Sequence, residues 1–172
     1  MDLATPRLVL RPLARGDAPA LRGIVTRPEV GRMLYLFPAG MTVAQAGTFI
    51  DDWAWRGGTR MRLGIEAGRR LVGSIGAPDG AEPEIVCFLA PEAWGQGLAR
   101  EAVAAFCAAL FARFGVPALR AWAFTDNAAS ARVLEACGFV RTGEGTGTSA
   151  QRLEPAPVWL YRMPRADREA RR

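Results

Sequence analysis

Lysine and histidine are both missing from this 172-residue chain. Without histidine, the commonest general base near neutral pH and the commonest zinc ligand are unavailable. No cluster of other ligating residues takes its place, so no metal site is expected. Without lysine, a phosphate loop of the form G-x-x-x-x-G-K-[ST] is excluded. Cysteine is scarce, and Cys87, Cys107 and Cys137 are scattered with no C-x-x-C pair. That argues against a disulfide framework and for a reducing, cytoplasmic setting, with the thiols serving as small buried hydrophobes. The longest apolar run, Ala102 to Ala112, is too short to span a bilayer, so no membrane partner is expected. The opening Met-Asp-Leu-Ala-Thr-Pro lacks the pattern of a signal peptide. Internal repeats are absent.

What is present describes an ordinary globule. Half the residues are hydrophobic (50%) and 23% are charged, a length and balance that suit one domain with a full core. That domain is expected over residues 1–164, followed by a charged, frayed tail over 165–172. The net charge is +5 and all 22 basic residues are arginine. A basic balance suits nucleic acid or a polyanionic cofactor. No dense basic run and no interleaved aromatic motif occurs inside the domain, so no nucleic-acid partner is expected.

Local patterns give the element order. Leu8 to Arg11 alternates as a strand. Asp17 can cap a helix to Val25, with Pro19 in its first turn. Pro28 to Gly40 is mixed, and Thr42 can cap a second helix to Trp55. Arg60–Ala67 and Arg69–Ala77 read as a hairpin with its turn at Ala67–Gly68. Glu84 to Leu89 is a short apolar strand that Pro91 ends. Leu98 to Phe114 has helical apolar spacing with one broad face. A strand over Ala118–Phe124, a helix over Asn127–Ala136, a strand opening at Gly138, a glycine-rich connection over Gly143–Pro157 and a strand over Val158–Met163 complete the chain. The class is α+β: a single, mostly antiparallel, twisted sheet of six to seven strands with helices on both faces.

Gly95 and Gly97 stand between the central strand and the long helix. The first turn of a helix leaves backbone N–H groups free, and its dipole adds positive charge there. Glycines let an anion approach that backbone closely, so a phosphate or pyrophosphate is the natural occupant. The alternative is a plain strand-to-helix turn that needs glycine for its dihedrals. A Rossmann G-x-G-x-x-G fails, because Arg100 takes the third glycine position.

Trp94-Gly95-Gln96-Gly97-Leu98-Ala99, followed by Arg100-Glu101-Ala102, resembles the acetyl-CoA pyrophosphate loop of the GCN5-related N-acetyltransferases (GNAT). The match is nearest to the branch that acetylates ribosomal-protein N-termini. Gly97 and Ala99 fit the two small positions of Q/R-x-x-G-x-G/A, while Trp94 stands at the Gln/Arg position. Asn127 to Phe139 resembles the family's N-x-x-S-x-R-V-L-E-x-x-G-F, and Pro6 to Pro12 its opening strand. Together the three span nearly the whole chain. The resemblance implies a sheet that opens between the Glu84–Leu89 and Ala118–Phe124 strands.

It also implies acetyl transfer from acetyl-CoA to a primary amine, a protein N-terminus or a small-molecule amine, by direct attack in a ternary complex. The expected cofactor contacts are the backbone from Trp94 through Gly95, Gln96, Gly97 and Leu98 to Ala99, with Arg100 and Asn127. Backbone of Cys87, Phe88 and Leu89 would pair with the pantetheine arm and supply an oxyanion donor. The tyrosine that many relatives use as acid is replaced by Leu134. Ser130 is then the nearest donor to the leaving sulfur, unless it is only a helix-surface serine. Asn127 can cap its helix and contact the cofactor at once. Glu84 is the preferred base among Glu82, Asp51, Asp52, Glu144 and Glu154, and a water relay could replace it. Tyr35, Phe37, Trp53 and Trp55 lie in segments that flank the acceptor in relatives. An outward carboxylate from Asp51 or Asp52 could form an acidic wall for a cationic amine. A monomer or homodimer is expected. The competing reading is an acyl-CoA-binding module without turnover.

Overall fold

The computed structural model describes residues 1–165. All of the expected tail except Arg165 lies outside the described residues. Among the described residues eight strands and five α-helices follow in the order β1 (Leu3–Ala4), β2 (Val9–Pro12), α1 (Ala18–Val25), α2 (Pro28–Gly31), α3 (Val43–Asp52), β3 (Met61–Ala67), β4 (Arg70–Ala77), β5 (Val86–Leu89), α4 (Leu98–Phe114), β6 (Ala118–Phe124), α5 (Ala128–Ala136), β7 (Val140–Gly147) and β8 (Ala156–Pro164).

The sheet is antiparallel within two ladders, β1-β2-β3-β4-β5 and β6-β8-β7. They meet at one parallel bridge, Glu84 to Arg120. There the Ile85 N–H donates to the Arg120 carbonyl at 2.8 Å, and the Arg120 N–H donates to the Pro83 carbonyl at 2.9 Å. Beyond that bridge β5 pairs only with β4, from Gly76↔Val86 to Gly73↔Leu89. The expected single sheet is thus a splayed one, open where the family resemblance implied. The strand additional to the six or seven is β1, a two-residue piece paired through Leu3↔Leu10 and Ala4↔Val9.

Helices cover both faces. On one, α4 and α5 enclose Leu63, Ile65, Ile75, Phe106, Leu110 and Leu119. On the other, α1, α2 and α3 enclose Leu21, Val25, Val30, Phe37, Ile50 and Phe88. Strand alternation sends Ile85, Cys87 and Leu89 to the first face and Val86 and Phe88 to the second.

Local chemistry explains most element ends. Thr42 accepts the Gln45 N–H at 3.2 Å, and the Gln45 amide oxygen accepts the Thr42 N–H at 2.8 Å, a closed capping box. That helix ends at Asp52 rather than Trp55. Asp17 precedes α1, yet its carboxylate makes no cap; it accepts from Arg11 at 2.8 and 2.9 Å and from the Ala14 N–H at 2.8 Å. An arginine in reach outcompetes a helix N–H for a carboxylate. The hairpin turn falls one residue later than expected, at Gly68–Arg69, both left-handed. The larger difference is β7, which continues to Gly147 where a loose connection was expected. Its register against β8, from Val140↔Arg162 to Gly147↔Ala156, supplies the ladder that its glycines do not favour locally.

Candidate active site

The splay between β5 and β6 opens a cleft of about 670 Å³. It runs from the α4 and α5 face through the sheet to the α1–α3 face. Its floor is the free edge of β5, where backbone groups of Val86–Leu89 have no β6 partner. Such an edge is a template for an extended, amide-bearing ligand. The Trp94 indole N–H donates to the Leu89 carbonyl at 2.9 Å and pins the following turn against this edge.

That turn builds an anion cradle. Gly95 (φ 73°) and Gly97 (φ 76°) are both left-handed, and Gly97 is the N-cap of α4. A Cβ on Gly95 would meet nothing within 4 Å, and one on Gly97 only the Arg7 Nη2 at 3.6 Å. Glycine is therefore required by the dihedrals and keeps the turn open above the N–H groups of α4. Arg7 buttresses the outside: its Nη1 donates to the Gln96 carbonyl at 2.8 Å and its Nε to Glu101 at 2.7 Å. Glu101 also accepts from the Thr5 hydroxyl at 2.5 Å, and this bond chiefly holds its carboxyl below the usual range. Arg100 and Arg132 line the cleft from α4 and α5, and neither forms an ion pair among the described residues. Two free guanidiniums beside an N–H cradle suit a polyanion.

Asn127 caps α5, accepting the Ser130 N–H at 3.2 Å. Ser130 lines the cleft one turn into the helix, and buried Leu134 follows it on the same wall. Cys87 lies on the β5 edge with its thiol enclosed, and burial pushes that thiol up to about 12.

On the second face the Glu84 carboxylate accepts the Trp122 indole N–H at 2.8 Å. Trp122 meets Phe124 edge to face at 5.2 Å. The β7–β8 connection folds over as a strap. The Gln151 amide donates to the Val25 and Phe37 carbonyls at 2.8 Å each, the Ser149 hydroxyl to the Gly31 carbonyl at 3.1 Å, and the Arg152 Nε to the Arg32 carbonyl at 2.8 Å. Asp126 ties Arg152 (2.8 Å) to Arg32 (2.7 Å). The Arg152 bond is the main cause of its lowered carboxyl pKa.

Of the residues expected to act, Cys87, Phe88, Leu89, Trp94, Gly95, Gly97, Leu98, Ala99, Arg100, Asn127 and Ser130 come together around the cleft. Gln96 and Glu84 do not line it. The Gln96 amide turns back to donate to the Glu92 carbonyl at 2.8 Å. Glu84 stands one indole behind the wall, held by Trp122. No residue of α3 lines the cleft. Asp51 pairs with Arg15, while Trp53 and Trp55 lie under Arg60 (4.6 Å) and Arg113 (4.8 Å). The acidic wall expected from Asp51 and Asp52 is therefore absent from the cleft. Of the expected aromatic flankers only Tyr35 reaches it. Glu29, Arg32 and Trp122 carried no local signal, since they come from separate elements that only the fold brings to the cleft, whereas Arg132 fills the arginine position of the N-x-x-S-x-R-V-L-E motif, the signal that could have found it.

Comparison with known proteins agrees with this geometry. A family model described as an acetyltransferase (GNAT) domain matches residues 7–140. An uncharacterized N-acetyltransferase of Bacillus subtilis, YoaA, is 32% identical over 149 residues, covering 82% of this chain and 84% of its own length. Two solved structures share the fold. RimL, a ribosomal L7/L12 α-N-protein acetyltransferase in complex with coenzyme A, superposes with a TM-score of 0.84 at 16% identity over 95% of this chain and 98% of its own. Spermidine N-acetyltransferase from Vibrio cholerae, in complex with CoA and spermine, does so with a TM-score of 0.80 at 17% identity over 93% and 96%.

Proposed function

The chain belongs to the acetyltransferase (GNAT) family and uses acetyl-CoA as cosubstrate, and from that premise we propose how its cleft transfers the acetyl group to an amine. One observation carries the reading. A left-handed glycine turn caps a 17-residue helix directly beside an unpaired strand edge. The cradle fits a pyrophosphate and the edge fits an amide-bearing arm, as coenzyme A requires.

The bound thioester supplies the electrophile. Free N–H groups on the β5 edge from Cys87 to Leu89 stabilise charge that develops on the carbonyl oxygen. N–H groups from Trp94 to Ala99, including that of Gln96, with Arg100 and Asn127 hold the cofactor. Ser130, whose hydroxyl has no hydrogen bond among the described residues, donates to the departing sulfur. Leu134 keeps that wall apolar and leaves the task to the hydroxyl. Glu84 is engaged by Trp122 and reaches an incoming ammonium through water rather than directly. Residues 1–164 form the catalytic domain, acting in a cytoplasmic setting as monomer or homodimer and without nucleic acid.

Attack is direct. The Cys87 thiol stands at the right strand for an acyl-enzyme, but burial keeps it protonated near neutral pH, and a thiol is a poor nucleophile. Initial rates with both substrates varied should therefore give intersecting reciprocal plots, and Cys87→Ala should retain turnover. Parallel plots, with an acetylated Cys87 trapped by mass spectrometry, would refute direct attack.

A further inference from the structure

We infer that the acceptor is a primary amine carried on a flat, apolar, aromatic-sized body, drawn in as its ammonium form by Glu29. The inference rests on the acetyl-transfer reading and names the substrate class of the same site.

The two faces of the cleft differ in chemistry. The α4 and α5 side carries the glycine cradle and two free guanidiniums. The opposite side receives Val86 and Phe88 from β5, Trp122 from β6, and Met33 and Tyr35 from the segment after α2. Two of its polar heads are already used, which leaves Glu29 and the Tyr35 hydroxyl. The Trp122 N–H is given to Glu84, and Arg32 is neutralised by Asp126. Sugar hydroxyls or a run of peptide amides would find few free partners there.

The wall is also fixed in place. Phe88 is braced edge to face by Phe37 at 5.7 Å. The Arg152 guanidinium covers Phe124 at 4.0 Å, and the strap anchors the α2 segment through backbone carbonyls. A rigid aromatic slot selects a flat apolar group, because little side-chain freedom is lost when it fills. Tyr35 stands at the mouth, 51% exposed with no aromatic neighbour among the described residues. That is the state of a ring waiting to stack.

One charge on this face is free. Glu29 lines the cleft, is exposed, and has no ion pair or side-chain hydrogen bond among the described residues. A single carboxylate suits a monocation. A polyamine would need several. In the reaction the bound ammonium first gives one proton to water, and the neutral amine nitrogen then forms a C–N bond to the acetyl carbon. The C–S bond breaks, sulfur keeps its electron pair, and the proton lost by nitrogen ends on sulfur or in water. Nothing is oxidised or reduced.

The test is thiol release from acetyl-CoA with tryptamine, 2-phenylethylamine, n-butylamine, spermidine, and peptides beginning with Phe or Ala. The aromatic amines should exceed spermidine and n-butylamine in kcat/KM by about 10-fold or more. The Phe peptide should exceed the Ala peptide likewise, and its rank against tryptamine tells a protein N-terminus from a small molecule. Tyr35→Ala should lower kcat/KM for the aromatic amines while n-butylamine changes by less than about twofold. Glu29→Gln should raise KM with kcat unchanged. Both residues are exposed, so the fold survives either change. Preference for spermidine, or equal rates across the panel, overturns the inference alone. Acetyl-CoA binding with no thiol release from any amine overturns the acetyl-transfer reading, and the inference with it.

Discussion

Gly97 is the position where binding and folding effects separate most cleanly. It holds φ 76° as the N-cap of α4. A branched L-residue there costs ~1–2 kcal/mol from its Cβ against the following carbonyl. The Arg7 Nη2 at 3.6 Å is ordinary contact, so no packing clash adds to that strain. Set against a typical stability of about 5–15 kcal/mol, Gly97→Val leaves a folded protein. Its Tm should fall by roughly 2–8 °C, at about 2–4 °C per kcal/mol for a chain of this size. Gly97→Asn tolerates the left-handed region and should cost less. Binding answers to a different quantity. Each N–H bond to a phosphate oxygen is worth ~1.5–3 kcal/mol, so a side chain that displaces one raises Kd about 10- to 100-fold. Both variants carry the obstructing Cβ and should bind acetyl-CoA weakly in calorimetry, while only valine lowers Tm appreciably. A valine variant with lowered Tm and a Kd within about twofold of the parent would refute the assignment of this turn to the pyrophosphate.

Ser130→Ala should lower kcat about 10- to 100-fold with little change in acetyl-CoA affinity; equal turnover in the two proteins would remove Ser130 from the chemistry. Arg62 is 4% exposed, its Nε has no partner among the described residues, and burial pulls its pKa down to about 10. Nearby rings of Trp53 (5.0 Å) and Phe49 (5.5 Å) offset ~1–2 kcal/mol, less than the several kcal/mol of burying a charge. Arg62→Met should therefore raise Tm by a few degrees, and a fall would reveal a compensating partner. Asp126, held low mainly by Arg152, and Glu82, held low mainly by Arg162, bind protons less tightly folded than unfolded. Their contribution is present above about pH 4 and lost as pH falls through the lowered values. Thermal unfolding should be flat from pH 8 to 6 and decline below about pH 4; an undiminished Tm at pH 3 contradicts the pairing.

The cofactor half of the site was legible because its determinants are local. Glycine, cap and helix lie within one turn of each other in sequence, so the turn at Gly95 and Gly97 and the cap at Asn127 could be placed from spacing, while their assignment to the cofactor came from the family resemblance. The acceptor half was not. Trp122 meets Glu84, and Gln151 reaches Val25 and Phe37, only through pairings across 38 and more than a hundred positions. The acidic wall failed for the same reason. Helical geometry required an outward carboxylate from Asp51 or Asp52, and Asp52 is exposed, but nothing local shows that neither reaches the cleft or that Arg15 pairs with Asp51. The long β7 was hidden by its glycines, whose weak strand propensity is overruled by the β8 ladder.

Product formation tests the central claim most directly. The purified chain is incubated with acetyl-CoA and each amine of the panel, and free thiol and acetylated amine are quantified together by mass spectrometry. With no lysine in the chain, its own background is confined to the α-amino group. The account predicts equal amounts of thiol and N-acetylated amine, formed only when both substrates are present. Saturable binding of acetyl-CoA with no acetylated amine from any member would contradict it and mark the protein as an acyl-CoA-binding module.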